Sequence, residues 1–391
     1  MAGCTPIALL ALLAISCGRF GYDNIEPGAA IDAGVMVVVR TAVRVTTDPD
    51  DSDGPRLVRS GAGYALVWRD TRDGPEEEIY FALVDADGQK IASEVNVSNT
   101  AKQSDDPSIA VGDGGFGVSW TEGLDIDREI MFAILGPNGT PTQVVPITSS
   151  LGVSAYSSTA WTGTDYAIVW DDDVGGDRQI YLARVDAAGT VTMPATRITS
   201  MNADGARHPA AVSAPNGLAI VWQDFRNGPS EIYYGRFDFN GTLQGSEVNL
   251  SMAGNSSRSA SISKAGNDVA TAFEDDRELP RDPYLKVFRP DGTEKSSPLR
   301  LINDARDTSS PVVAFDGVYY GIVWKEGGSD SGEVLFALAT DSEVVAVKSI
   351  SAELDAEAPW IIFDGERFAV VWKDERSGAD DVYFAHIDVV R

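Results

Sequence analysis

Seven acidic side chains recur in one local pattern. Asp70, Glu122, Asp172, Asp224, Asp275, Glu326 and Asp374 each stand two residues after a large aromatic, in turn Trp68, Trp120, Trp170, Trp222, Phe273, Trp324 and Trp372. In four copies an arginine follows two residues later: Arg72, Arg226, Arg277 and Arg376. A ring of carboxylates is chemistry that could bind cations or a substrate. A carboxylate at a strand end can equally accept backbone N–H bonds in the turn after it, with the arginine pairing to it. Repetition favours this structural use, because a catalytic centre is built once and a fold-locking contact once per unit. The aromatics read by the same logic as core wedges.

Other acidic residues fall where the copies differ, in the turns after these motifs. Asp125, Asp127, Asp171, Asp173, Asp276, Arg281 and Asp330 form the candidate binding face, since loops on a rigid scaffold usually carry binding residues. Asp48, Asp50, Asp51 and Asp53 make an oxygen-rich loop that is the weak candidate for calcium. It lacks EF-hand spacing, and solvated acidic loops are the plainer reading. No nucleophile elbow, H-E-x-x-H helix, phosphate loop or dinucleotide fingerprint occurs. The histidines are two, His208 and His386. His208, next to Pro209, reads as a loop residue without a catalytic partner.

The elements that hold these residues are short strands in a repeat. Around Tyr64–Gly88 an apolar strand ends in Trp-x-Asp, and an acidic turn, a second apolar strand and a tight turn follow. The anchor aromatics are spaced by 52, 50, 52, 51, 51 and 48 residues, a period that signals a repeat architecture with four strands per unit. Strand A begins near a proline in most copies, as at Pro55, Pro107, Pro209, Pro311 and Pro359. Strand B is apolar at consecutive positions, which implies burial on both faces. Strand C carries β-branched and aromatic residues and ends in a glycine turn. Strands B and C each occur seven times, but the last strand C, around Val382–Asp388, has no strand D after it. Thr41–Thr47 resembles strand D and stands alone before the first strand A. The expectation is an all-β, seven-bladed propeller with four antiparallel strands per blade, closed by this N-terminal strand on the C-terminal blade. The B–C and D–A loops then share one face.

The repeat resembles the sialidase-like propellers with BNR, or Asp-box, repeats in its W-x-D-x-R-x-G, I-Y-x-A and D-x-x-G segments. Its layout is also similar to TolB-type envelope propellers. The full Asp-box is absent, and only its turn remains at Val84 and Val185. The arginine clamp and the Tyr–Glu pair that the resemblance implies for a sialidase have no assignable counterparts. Glycoside hydrolysis needs two carboxylates at a defined separation, and no pair stands out.

Charge and leader bound the address. With 59 acidic against 31 basic residues the net charge is −28, which repels nucleic acid and anionic lipid. Cys4 and Cys17 are the only cysteines, so no disulfide staples the repeat. Residues 1–16 are uncharged and apolar from Ile7 to Ile15, as in a secretion signal. Ala14-Ile15-Ser16-Cys17 resembles a bacterial lipobox, which implies lipidation at Cys17 and, with Gly18 after it, an outer-membrane lipoprotein. Residues 17–39 read as a flexible tether and 40–391 as the propeller.

The functional expectation is a monomeric, lipid-anchored, non-catalytic module that binds protein or glycan through the B–C/D–A face, with no cofactor, no nucleic-acid partner and membrane contact through the anchor alone. The alternatives are a sialidase-like or other glycan-active hydrolase and a calcium-dependent adhesin. An enzyme of this fold should show a pocket at the ring centre with a perturbed carboxylate pair. A scaffold should show seven near-equivalent turns around a channel.

Overall fold

The computed structural model describes residues 34–149, 152–200, 205–252, 254–328, 332–351 and 355–391. Cys17, the leader and Asp330 lie outside the described residues. The chain forms seven antiparallel sheets around an axis, the seven-bladed propeller read from the repeat. Blade 1 is typical. Strand A (Ser52–Ser60) pairs with strand B (Gly63–Asp70), B with strand C (Glu78–Val84), and C with a two-residue strand D (Val95–Asn96).

Each sheet buries both faces against its neighbours. One cluster joins Leu57, Tyr64 and Trp68 of blade 1 to Val371, Val382 and Phe384 of blade 7. Six of the seven anchor aromatics are tryptophans with no exposed surface, and the large apolar area they remove from water is the main force holding blade on blade.

The ring closes at the last sheet. Val43 and Arg44 pair with Phe384 and Tyr383, and the Val45 N–H donates to the Val382 carbonyl at 2.8 Å. Thr46 locks the joint: its hydroxyl donates to Asp381 at 3.0 Å and accepts from the Val382 N–H at 2.8 Å. Pairing also reaches further back than residue 40. Met36–Val39 pairs with the C-terminal half of the same strand, Met36 opposite Val390. The chain therefore enters the propeller at the end of this strand remote from Asp381 and the B–C turn.

The repeated carboxylates close a clasp inside most blades. In blade 1 the Trp68 indole N–H and the Ser52 hydroxyl both donate to Asp70 at 2.8 Å, and the Arg72 N–H and Nε donate at 3.0 and 2.8 Å. The Arg72 guanidinium lies 4.3 Å from the Tyr80 ring centroid, in a cation–π contact. Asp224 and Asp374 bind the indoles of Trp222 and Trp372 and their own arginines in the same way.

Three blades lack the arginine: Asp172 still accepts from the Trp170 indole at 3.2 Å, and the two glutamate copies differ. Glu122 leaves the Trp120 indole N–H without a partner among the described residues. Glu326 accepts from the Trp324 indole at 2.7 Å. Burial, with Asp304 adding to it and Arg306 opposing it, pushes the Glu326 carboxyl up to about 8. A raised carboxyl binds its proton more tightly in the folded state, so its contribution falls as pH rises from about 4.5 to 8. Glu326→Gln should remove about 2 kcal/mol of that pH-dependent loss, read from urea midpoints at pH 5 and pH 8. An unchanged slope would refute it.

Candidate functional site at the axial mouth

The innermost strand of every blade carries a register shift against strand B, between Asp53 and Arg56 in blade 1 and at the matching place in the other six. One residue in each bulge adopts a left-handed backbone: Gly54, Asp106, Tyr156, His208, Ser259, Ser310 and Ala358, with φ between 50° and 62°. This conformation is natural for glycine and costs roughly 1–3 kcal/mol for other residues. Bulges also re-aim side chains. Here they bring all seven residues around the mouth of one cavity of about 520 Å³ on the ring axis.

The strained backbone is held by carboxylates at the blade boundaries. The His208 N–H donates to Asp171 of the preceding blade at 2.8 Å, and the Ser310 N–H to Glu274 of its preceding blade at 3.0 Å. The Asp106 N–H donates to Asp105 at 2.7 Å, while Arg69 bridges from the neighbouring blade to Asp105 at 2.8 Å. Asp53 also accepts from Arg69. The bulge is thus common to all blades, but the side chain it presents changes from copy to copy. Any function built once must lie in those differences.

Five side chains at the mouth could do chemistry. The Arg56 guanidinium lies 4.7 Å from the Trp360 ring centroid, which leaves a cation and an indole side by side. The rings of Tyr156 and His208 are 4.0 Å apart. Burial, then the cations Arg207 and Arg178, hold His208 down at about 4, so it is a neutral imidazole at physiological pH. Burial, then the Asp106 and Asp171 carboxylates, raises the Tyr156 hydroxyl. Burial, reinforced by Asp105 and opposed by Arg56 and Arg69, pushes the Asp106 carboxyl up to about 7. A group that titrates near working pH and faces a cleft suits proton transfer.

Behind this layer stands Asp171, pushed up to about 6 by burial against the pull of Arg178 and the His208 N–H. Its oxygens are taken by these two partners, so it orients His208 rather than facing the cavity.

The residues expected to form the working face behave differently. Asp171 alone of them reaches the axial residues. Asp125 and Asp127 flank an exposed single 3-10 turn. Asp173 accepts from the Val153 N–H at 2.7 Å and Asp276 from the Ser256 N–H at 2.6 Å, each stabilising a local turn. Arg281 pairs with Glu274 at 3.1 Å. Asp48 accepts from the Asp50 N–H, the Asp51 N–H donates to Thr71, and Asp53 goes to Arg69. Among the described residues no three His, Cys, Asp or Glu side chains form a metal-binding group. His208 is a correction: it is a strand residue turned inward by the bulge and packed on Tyr156, not a loop residue. Trp360 lines the channel and packs, half-buried, against the apolar clusters on both sides of blade 7. The signal for the ring lies in the repeat itself: strand A opens on Ser, Ala or Thr in every copy, while the residue two positions later, which ends at the axis, changes from copy to copy.

No family model matches the chain, and no curated protein matches it. Among solved structures, the polysaccharide lyase Uly1 superimposes with a TM-score of 0.55 at 9% identity, over 87% of this chain and 90% of that one. A subtype N10 neuraminidase-like protein of A/little yellow-shouldered bat/Guatemala matches over 90% of this chain and all of its own, with 12% identity and a TM-score of 0.49. Trypanosoma rangeli sialidase in complex with the inhibitor DANA matches over 76% of this chain and 56% of its own, with 10% identity and a TM-score of 0.46. At these identities the likeness is one of fold.

Proposed function

We propose that the chain is a glycan-active enzyme that takes a sugar at the axial mouth and moves a proton through Asp106. The observation that carries this reading is the convergence, in one axial cavity, of a carboxyl titrating near 7, a neutral imidazole against a phenol, and a cation over an indole. Concave sites with a few converging polar groups and shifted titrations are the usual seat of activity. In this reading the Asp106 carboxyl protonates the glycosidic oxygen as its bond to the anomeric carbon breaks. Water bonds to that carbon and gives up a proton to the ionised Asp106 carboxylate or to solvent. The Trp360 face carries a sugar ring, and Arg56 binds an anionic or hydroxyl-rich substituent. The lyase on which the chain superimposes acts on a polysaccharide, which is in keeping with this reading.

A second reaction class is favoured by one observation. His208 and Tyr156 in ring contact, with Arg56 in the same cavity, are the parts of a β-elimination: a base, a proton donor and a cation to neutralise a uronate carboxylate. The experiment is a screen of the purified chain on neutral and uronate-containing polysaccharides, reading new reducing ends and, separately, the ultraviolet absorbance of unsaturated uronyl products. Reducing ends alone assign hydrolysis, and both signals assign elimination. Binding without either product returns the chain to the non-catalytic module.

The address is part of the proposal. Lipidation at Cys17 would place about 18 tether residues, Gly18–Val35, between the lipid and the first strand, with a root-mean-square reach of roughly 20–25 Å if flexible. Met36 pairs opposite Val390, at the end of that strand remote from the mouth, so a tether would reach the propeller from the side opposite the mouth. Cys17→Ala is expected to shift the protein from the membrane to the soluble fraction. An unchanged membrane fraction would refute the anchor.

A further inference from the structure

The axial cavity does not end at its polar mouth. A second cavity of about 370 Å³ continues below it and shares Ser108, Ser158, Ala210, Val312 and Trp360 with the first. Descending strand A of blade 7, the lining runs from Ala358 and Trp360 at the mouth to Ile361, Ile362 and Phe363 in the shaft. Blade 4 repeats the gradient: His208 stands at the mouth, and Ala210, Ala211 and Val212 lie beneath it. Blade 6 goes from Ser310 to Val313, Ala314 and Phe315. The gradient has a physical origin. The bulges that aim polar residues at the axis are confined to the first turn-side residues of strand A, and below them the strands that pack on both neighbouring blades are mainly apolar, with Thr159, Ser263 and Lys264 among the polar exceptions in the lining. Small side chains at Ala210, Ala211 and Ala314 leave the axis open.

A polar mouth over an apolar shaft selects an amphiphile. Resting on the glycan reading of the mouth, we propose that the ligand is a saccharide carrying a hydrocarbon chain, with the sugar among Asp106, Tyr156, His208 and Arg56 and the chain running down the axis past Ala211, Val212 and Ile362. A free polysaccharide would leave water lying against the apolar part of the shaft wall, around Ala211, Val212 and Ile362, where it makes few hydrogen bonds. A chain that displaces such water gains affinity. The alternative occupant, an apolar molecule with no sugar, would leave the mouth groups unused and should bind no better than its own partition into an apolar phase.

The test is a titration of the whole chain with methyl, butyl, hexyl and octyl β-glucosides below their micellar concentrations, with 1-octanol as the headless control. Each buried methylene is worth about a fourfold gain in affinity. The expected result is a stepwise rise along the series, reaching at least about 100-fold between methyl and octyl if three or four methylenes enter, with 1-octanol far weaker than octyl glucoside. Ala211→Phe, which narrows the shaft, should flatten the series. Methyl and octyl glucosides binding within about threefold of each other, or no octyl glucoside binding at all, would overturn the proposal. The chain-length series in the unaltered protein decides the matter if the variant does not fold. Polysaccharide turnover with a flat alkyl series would sink this inference and spare the glycan reading.

Discussion

Asp70→Ala is expected to lower the free energy of unfolding by about 3 kcal/mol, the low end for breaking a buried charge pair. Asp70 is completely buried and is the hub at which the Trp68 indole, the Ser52 hydroxyl and the Arg72 side chain and N–H meet. Its removal leaves a buried indole N–H and a buried hydroxyl without acceptors, each a desolvation loss. The loss stays near the low end because Arg72 keeps Glu94 and its contact with Tyr80. Equilibrium unfolding in urea, followed by tryptophan fluorescence, reads the change. The matched control is Glu122→Ala. Glu122 has only a distant ion pair with Lys102 at 3.7 Å, the lysine being well exposed, so its loss should be under about 1 kcal/mol. Equal effects at the two sites would show that the clasp is not what stabilises the blade. The difference should also depend on pH. Burial works to raise the Asp70 carboxyl, yet its hydrogen bonds to Arg72, Trp68 and Ser52 hold it below the usual carboxylate range. A depressed carboxyl contributes stability above its unfolded value of about 3.8 and loses it as pH falls through the folded value. The gap between wild type and variant should therefore narrow in acid.

Fold and site were legible to different degrees, for reasons that lie in where each kind of information is stored. The blade count and the closure are carried by local pattern: seven Trp/Phe-x-acid motifs, and a strand-D-like segment at Thr41–Thr47 with no strand of its own to pair with. Val43 indeed meets Phe384. Met36–Val39 joins the same sheet, and its Met-Val-Val-Val run carries the β-branched bias of a strand inside a stretch otherwise rich in Gly and Ala. The site was harder to read. Residues at the axis get there through a register shift between two strands, a non-local event that β propensity does not encode. Acidic turns such as Asp125–Asp127 are conspicuous in sequence, but a B–C turn joins the second and third strands of a blade and so sits away from the axis. Only strand A reaches the centre, so Asp106, Tyr156 and His208 converge while Asp173 and Asp276 serve their own turns. Variation at one strand-A position within an otherwise regular repeat is the trace that the site leaves in the sequence.

On the glycan identified by the screen, Asp106→Asn is expected to lower kcat by about 10²–10⁴-fold, the range for loss of a positioned proton donor, with KM changed by less than about threefold because a uniform binding contact is kept. The asparagine preserves shape and the ability to accept the Arg56 field but cannot give up a proton. With its carboxyl near 7, wild-type Asp106 is protonated and competent as an acid below that pH and ionised above it. The kcat profile should therefore hold level in mild acid and fall on the alkaline side with a midpoint near 7, and Asp106→Asn should erase that limb. His208, held near 4, stays neutral throughout this window and adds no limb of its own. Asp171, pushed up to about 6 behind it, would place any fall of its own below that of Asp106, so loss of the limb in Asp106→Asn is what assigns it. Tyr156→Phe separates the two reaction classes. It should abolish a β-elimination that uses the phenol as proton donor, and leave most of a hydrolysis that runs through Asp106. An Asp106→Asn enzyme within threefold of wild type, with the alkaline limb intact and an unchanged urea midpoint, would move the chemistry away from the axial mouth.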